Sequence, residues 1–501
     1  MRSRVRASSF PPLLKARKSG LFIRRNIIIQ KLINKKYFII ILISFLGILL
    51  RVFFYSFNRY LWTDEAALSL NILNINNYFI PLHWGQAAPT LFMYLSKIMY
   101  IIVPQKELAL RFFPLLFSIC SIFAFNKLIS KYCNNLLTKI LAITAFSFSY
   151  PLVYYAQEFK QYSLDVLIFL LILLSYDYLK ILDSCIKKIT LSILYSLALY
   201  ASFPAFFAIF VVFFNLFLFD FDKFKKSYYM IIPILIMSML YITTCYSQIT
   251  DTSLHSYWQN GFLTFDIQHD INLIFSFFEY IFSTKIAVLF PLITILMCIK
   301  NKLFNEKYCL LYIPIALAIM LSCMHIYPLQ SRVSLYLAPL IIILTTKIID
   351  FISLKNKIIE KIVFAVCCIS LLFPLCSYTY NMVIKKNVWL EDFVTPLKLA
   401  LKEAGKDDII IIADGGEWLH EYYKNVITIN NPVIVEQSFS DENQYIEHLD
   451  KYKKGQNYYL IYAHNRNKLK RLNTIYNWAR TKDNFNFIYD KSMNAMIHFS
   501  L

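Results

Sequence analysis

The amino-acid sequence predicts a polytopic α-helical membrane protein that ends in a small α/β domain. Three observations carry this expectation. The 501-residue chain is 58% hydrophobic, 17% aromatic and 16% charged, far below the roughly 25% charged residues of a soluble domain. About eleven apolar runs of near-spanning length (~20 residues) follow one another between residues 37 and 380. The short segments between them alternate in charge, as the positive-inside rule requires. The same composition excludes disorder over most of the chain.

The net charge of +20 is an orientation signal. Residues 1–36 carry 11 Lys and Arg and no acid. Residues 37–381 carry 24 basic and 16 acidic residues, and residues 382–501 carry 16 and 15. A basic nucleic-acid-binding face is therefore not indicated. The eight glycines match neither GxGxxG nor GxxxxGK[ST], so a Rossmann or P-loop nucleotide site is not expected. All ten cysteines lie between Cys120 and Cys376, beside or within apolar runs and without a CxxC pair. Neither a disulfide framework nor a structural zinc site is indicated.

The first run, 37–57, follows a basic stretch, has no small-residue cleavage site and continues into Arg51, which reads as an uncleaved anchor. Later runs lie near 108–126, 136–154, 162–179, 189–202, 203–219, 228–247, 284–299, 308–325, 333–350 and 359–380, with Pro204 marking the division between 189–202 and 203–219. With the N-terminus in the cytoplasm, every even-numbered connection is basic: Lys127/Lys131, Lys180/Lys187/Lys188, Lys223/Lys225/Lys226, Lys300/Lys302/Lys307 and Lys355/Lys357/Lys361. Odd-numbered connections 58–107, 154–162, 248–283 and 325–332 then lie outside, as does 382–501. Segment 89–104 is apolar but only 16 residues long between two prolines. Counting it as a span would invert every later loop, so it reads as a helix in the outer interface or re-entering the membrane. Three regions result: a basic cytoplasmic segment 1–36, a transmembrane catalytic domain 37–381 and an extracytoplasmic domain 382–501. In the last, β-type runs at 407–414, 431–437 and 457–464 alternate with helical stretches, and the end reads as a hairpin turning at Lys491–Asn494.

The outer face gathers the chemistry. Asp64 and Glu65 form an acidic pair just beyond the first span, and Thr63 or Asp64 also suits a helix cap. The same side carries 81–92 with His83 and Gln86, then Arg111, then 154–165 with Glu158, Lys160, Tyr162 and Asp165, and 327–332 ending in Arg332. Structural readings compete for each: an internal Glu158–Lys160 or Lys160–Asp165 pair, and snorkelling for Arg111 and Arg332. Of the 24 basic residues in 37–381, eight fall away from proposed cytoplasmic edges: Arg51, Arg59, Lys97, Lys106, Arg111, Lys160, Lys285 and Arg332. Carboxylates and cations on one membrane face suit group transfer from a phosphate-bearing lipid. A carboxylate takes the acceptor's proton, and cations hold the phosphate where negative charge develops.

The runs LWTDEA, PLHWGQAAPTLF, KELALRFFPLLFS, SYPLVYYAQEFKQYSLDVL and YPLQSRVSLYLAPL resemble the GT-C membrane glycosyltransferases. Within them they are similar to bacterial family 39, relatives of protein O-mannosyltransferases and of the lipid A aminoarabinose transferase. The likeness covers about residues 37–350. It implies a polyprenyl-phosphate sugar donor, transfer with inversion outside the bacterial cytoplasmic membrane, and a glycan, lipid or protein acceptor. It also implies Asp64 as general base, Glu65 as its neighbour orienting the loop, Arg111 opening the next span, Glu158, Lys160 and Tyr162 as a pocket wall, and Arg332 near the phosphate. His83 and Gln86 stand where the lipid A enzyme has charged residues, which weighs against a metal bridge and a lipid A role. A divalent cation is left open. So are three other readings: a lipid-linked sugar flippase, a polyprenyl-diphosphate glycan ligase or polymerase, and a receptor using 382–501. In that tail Asp414, Glu417, His420 and Glu421 stand at helical spacing, which a solvated helix face also explains.

Overall fold

The computed structural model describes residues 38–74, 82–249, 252–300, 305–330, 332–353, 356–384, 391–436, 441–462, 469–491 and 494–501. The basic segment 1–36, Lys302, Lys355 and the hairpin residues 492–493 lie outside them.

Every apolar run expected from the sequence is helical. Helix α1 (Phe38–Ser56) leads into the first long loop, which holds α2 (Thr63–Asn74) and α3 (Thr90–Ile102). Next come α4 (Lys106–Tyr132), α5 (Leu136–Phe148), the short α6 (Tyr150–Tyr154) and α7 (Tyr162–Ile181). They are followed by α8 (Cys185–Ala201), α9 (Ala205–Phe219), α10 (Phe221–Lys225), α11 (Ile231–Ile249), α12 (Thr252–Trp258) and α13 (Ile267–Phe282). The helices α14 (Leu289–Lys300), α15 (Glu306–Cys323), α16 (Ala338–Ser353) and α17 (Lys357–Val383) complete this part. Three described helices, α1, α4 and α15, are individually long and apolar enough to cross a bilayer. At 13 residues, α3 extends only ~20 Å, short of a ~30 Å hydrocarbon core. Apolar side chains along α1, such as Ile41, Phe45, Leu49 and Phe53, and along α9, such as Phe206 and Phe210, are exposed. That pattern suits lipid-facing surfaces of a multi-pass membrane protein.

The run 136–154, read as one span from the sequence, is broken. Residues Tyr150–Gln157 bend 50° away from α5. Pro151 has no amide to donate and its ring displaces the carbonyl four residues back. That carbonyl belongs to Ser147, and the Arg51 guanidinium takes it at 2.6 Å. Arg51 also donates to Gly47 O and the Ser118 hydroxyl and is fully buried. A Cβ on Gly47 would meet the Ser147 Cβ at 2.7 Å, so glycine is what lets α1 approach the break.

The C-terminal domain contains α18 (Val394–Glu403), β1 (Ile409–Ile412), α19 (Glu417–Tyr423), β2 (Val433–Val435), α20 (Glu442–Leu449), β3 (Asn457–Tyr462), α21 (Leu469–Ala479), β4 (Asp483–Lys491) and β5 (Asn494–Ser500). Its sheet runs β2-β1-β3-β5-β4, parallel at β2/β1/β3 and antiparallel at β3/β5/β4. Strand alternation sends Ile411, Leu460 and Ile497 to a core with α20 and α21. It sends Ile410, Ile412 and Ile461 to a second core, which also contains Leu61, Ala66, Phe92, Leu110 and Phe159. The first long loop of the membrane part and one face of the C-terminal sheet are therefore packed as one apolar unit.

Candidate active site

The chain leaves α1, reverses at Asn58 (φ 45°) and enters α2 at Thr63. Consecutive helical residues point ~100° apart, so Asp64 and Glu65 cannot face the same way. Glu65 turns inward and is fully buried. One of its oxygens accepts from Arg111 Nε at 2.8 Å and the Phe159 amide at 2.7 Å. The other accepts from Arg111 at 2.5 Å and Arg59 at 3.0 Å. Burial alone would raise its pKa, but the two guanidiniums outweigh this and hold the carboxyl well below the usual range. Arg111, 2% exposed, spends its remaining bonds on the carbonyls of Arg59 and Tyr60. Glu65 and Arg111 thus form a buried link between α2, α4 and the loop before α7, turned away from the surface on which Asp64 opens.

Asp64 turns outward. Its carboxylate lies 3.2 Å from Arg332, and the two side chains are 24% and 17% exposed. The Arg332 guanidinium also donates to the Tyr257 hydroxyl at 2.9 Å and lies 4.9 Å from the Trp258 ring centroid. Its loop is fixed from below. The Leu329 amide donates to Gly261 O at 2.7 Å, and a Cβ on Gly261 would strike the Gln330 side chain at 2.6 Å.

Lys160 joins this pair electrostatically. Burial holds its ammonium below the usual lysine range, with Arg332 adding to the shift and Asp64 opposing it. Its ammonium donates to Gln86 Oε1 at 2.7 Å, and both side chains are buried. Gln86 is presented by a turn in which Trp84 (φ 59°) and Gly85 (φ 60°) are left-handed. Glu158 sits one bend away, 1% exposed. The Tyr154 phenol lies near it, yet neither carboxylate oxygen reaches a well-aligned hydrogen bond. Burial and the neighbouring Glu65 charge push its pKa up to about 7. The buried Tyr162 ring opens α7 and meets Tyr155 edge-on at 4.8 Å. On the far side of Tyr162, Asp165 is buried and accepts from Ser202 at 2.7 Å.

The structure thus pairs Asp64 with Arg332 and Lys160 with Gln86, and the Lys160 ammonium feels both members of the first pair electrostatically. His83 is exposed, edge-on to Trp84, and its backbone is anchored through Asn71. Among the described residues no group of three His, Cys, Asp or Glu side chains is placed to hold a metal ion, the Asp414–Glu421 set included. Of the eight displaced cations, Arg51, Arg59 and Arg111 serve the scaffold, Lys106 bonds the carbonyls of Tyr100 and Val103, and Lys285 lies 3.7 Å from Glu279. Arg332 contacts Asp64 directly, Lys160 acts on it electrostatically, and Lys97 is half-buried on α3.

Sequence reasoning missed Tyr257 and Trp258, Glu391 and Tyr423. The Thr63 amide and hydroxyl donate to the buried Glu391 at 2.6 and 2.5 Å. The Leu61 amide donates to the Tyr423 hydroxyl at 2.8 Å. The Glu391–Asp392 pair, just after the last apolar run, was the available signal.

Comparison with solved structures places the fold. ArnT from Cupriavidus metallidurans in the apo state superposes with a TM-score of 0.51 at 8% identity, over 90% of this chain and 97% of that one. The same protein bound to undecaprenyl phosphate gives 0.50 at 9% identity, over 91% and 97%. The Archaeoglobus fulgidus oligosaccharyltransferase complex with zinc and sulfate gives 0.49 at 12% identity, over 90% and 72%. No protein-family model and no curated protein sequence matches the chain. At these identities the likeness is one of fold: the chain shares the architecture of ArnT.

Proposed function

We propose that this protein transfers a sugar from a polyprenyl-phosphate donor to an acceptor hydroxyl, by inverting single displacement, at the outer face of a bacterial cytoplasmic membrane. The observation that carries this reading is the half-open Asp64–Arg332 pair, on which the buried Lys160 ammonium acts electrostatically. The undecaprenyl phosphate bound to ArnT supports a lipid phosphate as partner.

In this reading the donor phosphate draws Arg332 and Lys160 to itself and releases Asp64. The acceptor oxygen forms a bond to the anomeric carbon as the carbon–phosphate-oxygen bond breaks. The acceptor proton passes to Asp64, and the electron pair leaves on the polyprenyl phosphate, whose growing charge the two cations meet. Trp258 and Tyr257 hold Arg332 in line. Glu65, Arg59 and Arg111 keep the acid-bearing loop rigid. Glu158, Tyr162 and Gln86 line the sugar side, and His83 stands at the rim.

The charge pattern supports an N-terminus in the cytoplasm, eleven spans and a C-terminal domain outside. Lys131–Asp177, Lys180–Glu306 and Lys223–Asp183 ion pairs lie at the helix ends opposite Arg111 and Tyr162. The reading is tested by incubating the protein in proteoliposomes with radiolabelled polyprenyl-phosphate sugars and acceptor-rich envelope membranes. Label moves into the acceptor with inverted anomeric configuration; donors that are never consumed contradict the proposal. Retained configuration would assign a covalent, two-step route instead.

A further inference from the structure

We infer that Glu391 is a positioning residue for Asp64, and that through it the C-terminal domain sets the orientation of the first-loop acid. This role rests on the transfer reading for what Asp64 does; the clamp itself is a set of contacts.

Helix α2 begins at Thr63, and the amides of its first turn have no partner within the helix. The Glu391 carboxylate takes the Thr63 amide at 2.6 Å and the Thr63 hydroxyl at 2.5 Å, from 328 residues away. An anion at this end also complements the helix dipole. Gly415 O lies 3.3 Å from the same hydroxyl. Glu391 is 1% exposed and is itself held in place. The adjoining Asp392 caps the Thr395 amide at 2.9 Å, and the fully buried Phe393 stacks on Tyr423 at 6.2 Å. Tyr423 supplies a second arm, accepting from Leu61 at 2.8 Å and donating to Glu107 at 3.3 Å.

The residues on both sides of Trp62 are thus gripped by the C-terminal domain, and Asp64 follows directly. A one-residue turn of α2, ~100°, would bring Asp64 to the direction that Glu65 holds. Two opposed devices prevent it: Arg59 and Arg111 hold Glu65 from inside the membrane part, and Glu391 holds Thr63 from the C-terminal domain.

The test uses the full-length protein with Glu391→Ala and Glu391→Gln. Hydrogen exchange of the 61–66 peptide is measured alongside kcat and donor KM. In Glu391→Ala, exchange at 61–66 rises at least about tenfold and kcat falls about ten- to a hundredfold with donor KM unchanged. In Glu391→Gln the acceptor oxygen survives and the charge does not. Its kcat loss is smaller, again with donor KM unchanged. Wild-type exchange in Glu391→Ala overturns the clamp. Wild-type kcat in Glu391→Ala, or a loss that merely follows the folded fraction, overturns the positioning role. If the wild type itself moves no label, the transfer reading fails, and the exchange data still decide the clamp.

Discussion

Asp64 and Arg332 are 268 residues apart in the chain and 3.2 Å apart in space. The contact joins the loop between α1 and α4 to the segment before α16, and there the acidic pair of that loop reaches the surface. Its two members are the base and the phosphate cation of the proposed reaction, so each has a distinct expected phenotype.

Asp64→Asn keeps the shape and removes the proton acceptor. We expect turnover to fall by about 10²–10⁴-fold, with the melting temperature in detergent almost unchanged, because a partly exposed pair contributes about 1 kcal/mol or less. A variant that keeps wild-type turnover takes Asp64 out of the base role.

Arg332→Ala removes the cation and its aromatic seat. Donor KM should rise and kcat fall, with Arg332→Lys partly restoring both and Trp258→Ala giving a milder defect of about 0.5–2 kcal/mol. Initial rates against donor concentration measure this. An Arg332→Ala enzyme with unchanged donor KM would contradict phosphate contact.

Glu65→Gln should act on stability first. It leaves Arg59 and Arg111 buried without their counter-ion, a change that costs about 3–5 kcal/mol in comparable buried pairs. Thermal unfolding in detergent should show a marked drop, and a fully stable Glu65→Gln protein would contradict the scaffold role.

Glu158 predicts a pH dependence. Burial and the Glu65 charge push its pKa in the fold up to about 7 from the ordinary 4.5. The folded state therefore binds more protons than the unfolded state between those values, and stability falls as pH rises across that window. Glu65, whose pKa is held low, stays ionised throughout it. Glu158→Gln should flatten the melting temperature between pH 5 and 8 (a window set by that shift) and raise stability at the alkaline end by roughly 1–3 kcal/mol. A wild-type profile that is already flat would show that Glu158 is ionised in the fold.

Most of the architecture was legible because it is dictated by local patterns. Apolar runs gave the helices, Pro204 the α8–α9 division, and the β-type runs 407–414, 431–437 and 457–464 the three strands that pair in parallel. Legibility ended where a carbonyl or charge meets a distant partner. The run 136–154 was read as one span; Pro151 breaks it, and Arg51 and Gly47 explain why the break persists. Arg111 and Arg332 look alike in sequence, each a lone arginine at the rim of a run. One is consumed by Glu65 and the other faces Asp64, and that difference is set by which way α2 is turned. Glu391 showed only as half of an acidic pair, because its partners, the amide and hydroxyl of Thr63, lie 328 residues away.

The most direct test of the central claim compares wild-type protein and Asp64→Asn in matched proteoliposomes, with equal folded amounts, supplied with radiolabelled polyprenyl-phosphate sugar and acceptor-rich membranes. The account predicts that the wild type consumes the donor and moves the label with inversion, while Asp64→Asn leaves the donor intact. Equal donor consumption by both proteins, or none by the wild type, would contradict it.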